Sequence, residues 1–137
     1  MLKLKKEDYE KILDHCRKGL PNESCGLLGG TIEGDVKTIE KVYLLTNIDE
    51  SNEHFSMDPK EQLSAIKDIR QKKGVLLGNF HSHPESPSRP SQEDIRLAYD
   101  PKMNYLILSL MNPEELVLNS FHIEKGEVTK EELVIEA

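Results

Sequence analysis

The sequence predicts a mixed α+β fold, an α/β arrangement in which one layer of sheet is covered by helices. Three observations predict it. Three segments carry apolar residues at helical spacing, and six or seven others read as strands. The strands come in runs and do not alternate strictly with helices. The 137 residues fit one domain, 1–137, large enough to bury a core without staples.

From Glu7 to Lys18, Tyr9, Ile12, Leu13 and Cys16 form one apolar helical face, ended by Gly19 and Pro21. Cys25 to Ile32 reads as a strand of small residues. Glu33-Gly34-Asp35 turns it into a returning strand, Val36 to Thr46, giving a hairpin. Asn47 to Asn52 is polar and loop-like, and Glu53 to Met57 reads as a short strand. Asp58 and Pro59 are an N-cap and first-turn pair for a second helix. Leu63, Ala65, Ile66 and Ile69 give that helix its apolar face, and Gly74 stops it. Val75 to His81 is a near-continuous apolar strand, expected to be buried on both faces. Pro84 to Pro90 is a proline-stiffened loop, and Ser91 opens a third helix to about Tyr99. Asn104 to Leu110 and Leu116 to Ile123 are strands. Lys125-Gly126 turns the chain into a last strand, Glu127 to Ile135.

Composition excludes several function classes. The net charge of -7 argues against non-specific nucleic-acid binding, which needs a basic surface. Trp is absent and aromatics are 5%, so a base-stacking platform is not expected. No apolar run is long enough to span a membrane. The start, Met1 to Lys6, lacks the apolar region of a signal peptide. Cys16 and Cys25 form no Cys-x-x-Cys pattern, so two free thiols in a cytoplasmic protein are expected.

The residues that can carry chemistry are His81-Ser82-His83, Asp94 and Glu23. Residues i and i+2 of a strand share a face, so His81 and His83 at a strand end can point at one metal ion. With Asp94 they make a three-ligand set that suits zinc and leaves a fourth position open. Each part also has a plainer reading. The histidines can be a surface pair. Ser91 to Asp94 has the spacing of a capping box, so Ser91 can simply cap the third helix. Glu23 can be a surface residue before a strand, and Glu53, Glu85 and Glu93 compete with it as proton carrier.

Together, Glu23, His81-Ser82-His83-Pro84 and Ser91-Gln92-Glu93-Asp94 resemble the JAMM signature of the MPN-plus zinc metallopeptidases, with every signature position filled. Cys25-Gly26-Leu27-Leu28-Gly29 after Glu23 is also similar to that family. The resemblance implies a curved mixed sheet flanked by helices, like the cytidine deaminase core. It implies one Zn²⁺ per chain held by His81, His83 and Asp94, with water in the fourth place. Glu23 would be general base and acid, and Ser91 would hydrogen-bond the substrate carbonyl oxygen. The compact chain looks most like small prokaryotic members, the sulfur-carrier-protein–cysteine peptidases among them. The implied substrate is an amide bond after the C-terminal Gly-Gly of a ubiquitin-like or sulfur-carrier protein. Asn47 to Met57, with Phe55, is a candidate wall of the groove for that tail. A zinc amidohydrolase of small peptides and a non-catalytic MPN interaction module are the alternatives.

Overall fold

The computed structural model describes all residues, 1–137. In chain order the elements are β1 (Leu2–Lys5), α1 (Lys6–Gly19), β2 (Cys25–Glu33), β3 (Val36–Leu45), α2 (Pro59–Gln71), β4 (Val75–His83), α3 (Gln92–Arg96), β5 (Asn104–Ser109), β6 (Val117–Glu124), β7 (Glu127–Glu131) and β8 (Leu133–Glu136). All eight strands form one mixed sheet in the order β7-β6-β5-β4-β2-β3-β1-β8. The mixed α+β architecture expected from the sequence is therefore the one observed.

Turn chemistry fixes the hairpins. Glu33 pairs with Val36 and Gly34 has φ +59°, so the two-residue turn places glycine where a type II′ turn needs it. Glu124 pairs with Glu127, and Lys125 and Gly126 both have positive φ (52° and 81°), as in a type I′ turn.

The sheet must curl. β7 and β8 are separated by Glu132 alone, yet they lie at opposite ends of the strand order. A chain that crosses from one edge to the other in one residue requires the two edges to meet. At that seam Lys37 of β3 donates to Asn104 Oδ1 of β5 at 2.7 Å, and Asn104 donates to Ser120 Oγ of β6 at 2.9 Å. Glu131 of β7 takes a hydrogen bond from His122 and faces Lys37 at 3.6 Å.

Both faces of the central strands are covered. Leu2, Leu4, Ile12, Cys16, Leu28, Ile39, Phe80, Leu106 and Leu108 pack into the main core with α1. Cys25, Leu27, Leu45 and Ala65 form a second cluster beneath α2. No helix is long and apolar enough to cross a membrane.

Several expectations change. Residues 2–5 form β1, where Leu2 and Leu4 are fully buried and alternate with Lys3 and Lys5. The final strand breaks at Glu132, because its two halves pair with different edges. Glu53 to Met57 is no strand; only Met57 makes a bridge, to Asn47. The third helix is a short one, ending at Arg96. On α2, Ala65 and Ile69 are buried but Leu63 is exposed. Val75 is exposed too, so β4 is covered on both faces only in its second half.

Candidate active site

β4 carries the two histidines. Strand alternation sends Phe80 into the main core, while His81 faces the other way and stacks on Phe55 with ring centroids 4.7 Å apart. The strand runs two residues beyond the sequence expectation, so His83 is still in register, paired with Ser109 of β5. Both imidazoles are buried, at 2% and 4% exposure.

The loop after His83 is stitched to the sheet. Pro87 O lies 2.9 Å from His83 Nδ1. Ser88 Oγ donates to Ile107 O at 2.6 Å, and Ser109 Oγ donates to Ser86 O at 2.7 Å. Asn119 Nδ2 donates to Ser88 O at 3.2 Å. These bonds bring the start of α3 back to the end of β4. There Ser91 and Asp94 form a reciprocal capping box: Asp94 N–H donates to Ser91 Oγ (3.0 Å) and Ser91 N–H donates to Asp94 Oδ2 (2.9 Å).

That Asp94 oxygen does a second thing. It lies 3.2 Å from His81 Nε2 and 3.1 Å from His83 Nε2, and the two Nε2 atoms are 3.1 Å apart. Burial pushes the Asp94 carboxyl up, but the two rings and the Ser91 amide outweigh it and hold the group well below the usual carboxylate range. Three donor atoms at mutual distances near 3.1 Å fit one small cation. Bonds of about 2.0–2.1 Å to a tetrahedral ion put its ligands about 3.3 Å apart. The set is one carboxylate oxygen and two imidazole nitrogens, and His81, His83 and Asp94 could hold such an ion together.

Glu23 is fixed from two sides. Its N–H donates to Ser51 O (2.7 Å), and Asn47 Nδ2 donates to its carbonyl (3.0 Å). The next residue is locked to β4: Ser24 N–H donates to Ser82 Oγ (2.8 Å), and Ser82 N–H donates to Ser24 O (3.0 Å). Glu23 is thereby held beside the residue between the two histidines. It is 5% exposed, and its Oε1 has no hydrogen-bond partner. Burial pushes its carboxyl up to about 8; His83 pulls it down, while Asp94, Glu93 and Glu53 push it further up.

The structure thus gathers His81, His83 and Asp94 into one cluster, places Ser91 directly beside Asp94, and buries Glu23 within electrostatic reach of His83 and Asp94. Phe55 and Met57 wall a cavity of about 210 Å³ that also touches His81 and Asp94. The sequence reading missed Ser82, which anchors Ser24 in the segment between Glu23 and β2. Its signal was its place between the histidines, where alternation turns it to the opposite face. Cys25 pairs with His81 across β2 and β4 and packs with Leu27 and Leu45.

Comparison with known proteins identifies the family of the chain. A solution structure of a Desulfitobacterium hafniense protein superposes with a TM-score of 0.91 at 54% identity, over 99% of this chain and 93% of that one. The CysO-cysteine peptidase of Mycobacterium tuberculosis is 32% identical over 120 residues, 88% of this chain and 81% of that protein. The desampylase of Haloferax volcanii is 34% identical over 113 residues, 79% of this chain and 80% of that protein. Residues 5–124 match the family described as prokaryotic homologs of the JAB domain, and the chain belongs to that family.

Proposed function

We propose that the protein is a zinc-dependent metallopeptidase that hydrolyses the amide bond after the C-terminal Gly-Gly of a ubiquitin-like or sulfur-carrier protein. The observation that carries the reading is the convergence of His81, His83 and Asp94 next to a buried, unpaired Glu23 carboxylate. Zn²⁺ held by the three side chains would act as a Lewis acid and make a water molecule acidic near neutral pH.

The chain's own groups supply the proton movements. Glu23, raised by burial, suits a carrier that takes a proton from the attacking water and returns it to the departing amine. Ser91 Oγ already accepts from the Asp94 amide, so its hydroxyl proton is free to donate to the carbonyl oxygen as negative charge grows there. Phe55, stacked on His81, and the 47–57 segment form one wall of the groove. An extended tail without side chains could approach that wall and gain main-chain hydrogen bonds. The names of the mycobacterial and haloarchaeal relatives support a carrier-protein substrate.

The test is a carrier protein ending in Gly-Gly-Cys, incubated with zinc-loaded and chelator-stripped protein and read by mass spectrometry. Zinc-dependent release of cysteine is expected. Cleavage that survives the chelator sinks the metallopeptidase reading, and cleavage of short peptides alone sinks the carrier assignment.

A further inference from the structure

Two more polar atoms beside the cluster are buried and have no hydrogen-bond partner in the chain: Oδ1 of Asn79 and Nδ1 of His81. The residues stand two apart on β4, on one face of the strand. Both wall the 210 Å³ cavity. Their chemistry is complementary. If His81 Nε2 faces a cation, the remaining ring proton sits on Nδ1 and makes it a donor. A carboxamide oxygen is an acceptor.

His83 has this need met by Pro87 O at 2.9 Å. For His81 the rest of the cavity wall offers little. Phe55, Leu97, Ile107 and Ile123 have no acceptor, and the Tyr105 hydroxyl is engaged with Asp100 O. Glu93 pairs with Arg96 at 3.7 Å. Asn79 carries the buried, unpartnered side-chain oxygen of that wall, on the same strand face as His81.

We infer that Asn79 is the positioning residue for His81. Its carboxamide oxygen takes the Nδ1–H hydrogen bond, directly after rotation about the Cβ–Cγ bond or over one water molecule, and fixes the ring with Nε2 toward the cation. The inference rests on the metal reading proposed above.

The experiment compares full-length wild type, Asn79→Leu and Asn79→Asp. Zn²⁺ affinity is measured by competition with a chromophoric chelator at one fixed pH, after thermal unfolding has shown that each variant folds. Asn79→Leu fills the same space without an acceptor and is expected to bind Zn²⁺ roughly 10–100-fold more weakly. Asn79→Asp keeps the oxygen and is expected to bind as tightly as wild type or tighter. In zinc-loaded wild type, proton NMR is expected to show a slowly exchanging Nδ1–H for His81 as well as for His83. Equal affinity in Asn79→Leu overturns the inference. So does equal weakness in Asn79→Asp, which keeps both the shape and the acceptor oxygen. A fast-exchanging His81 proton in wild type overturns it without any variant. Wild type that binds no Zn²⁺ sinks the metal reading itself and leaves Asn79 no liganded ring to orient.

Discussion

Ser91 holds two positions at once, and they can be separated. Its Oγ accepts the Asp94 N–H at 3.0 Å as the cap of α3, and its hydroxyl proton is the proposed donor to the substrate oxygen. Ser91→Ala removes both. Losing a serine cap costs about 1 kcal/mol, whereas glycine at the same position costs only a few tenths. For a chain of this size 1 kcal/mol moves Tm by roughly 4 °C. Losing an oxyanion donor costs ~10²–10³ in kcat, or about 2.7–4 kcal/mol. Ser91→Ala should therefore lose about 4 °C and the full rate factor, while Ser91→Gly should keep nearly all its Tm and lose the same rate factor. The Ser91 backbone N–H that holds Asp94 Oδ2 survives in both, so metal affinity should hold. Calorimetry, single-turnover cleavage and chelator competition check the three quantities. Near-wild-type turnover in Ser91→Gly would show that Ser91 is a cap and nothing more.

Other outcomes follow from buried groups. Glu23→Gln should keep the metal and lose ~10²–10⁴ in turnover, the usual contribution of a general base; full activity in that variant would remove Glu23 from the chemistry. In the metal-free protein the same residue should make stability fall as pH rises. Its carboxyl ionises near 4.5 when unfolded and near 8 when folded, so the native state holds the extra proton between those values. Urea midpoints should decline across that window for wild type and much less for Glu23→Gln. Cys16 and Cys25 are fully buried, and burial pushes both thiols up to about 12. Neither should react with a thiol reagent until the protein unfolds, when both should. Gly26→Ala should abolish soluble expression, since a Cβ there would lie 2.1 Å from the Phe80 ring and 2.2 Å from Tyr43 O.

Much of the fold was legible because local rules wrote it. Asp58 before Pro59 marked α2, and the side chain indeed accepts from the Lys60 and Glu61 amides. Gly34 and Lys125-Gly126 marked both hairpins. What was not legible depends on partners distant in sequence. Leu2 and Leu4 alternate with lysines over only four residues, too short to be read without knowing that β1 lies between β3 and β8. The break at Glu132 carries no turn residue, and its cause is closure of the sheet. Leu63 looked like a core residue at helical spacing, yet α2 presents only its Ala65–Ile69 side to the sheet.

The site was legible for a different reason. Read singly, Ser91-x-x-Asp94 is a helix cap and His-x-His is a surface pair; the structure bears out the cap but buries both rings at the end of β4. For the cap, the plain reading and the chemical one coincide because the same Asp94 oxygen closes the capping box and faces both rings. A ligand that floated free would lose side-chain freedom on binding a cation. Asp94 has already lost it to the cap, and His83 has lost it to Pro87 O. Ordinary secondary-structure hydrogen bonds therefore do the pre-organising that a binding site needs. His81 is the one ring in the cluster with no such tie in the chain, which is why the residue two before it on the strand bears on how well the cluster holds its cation.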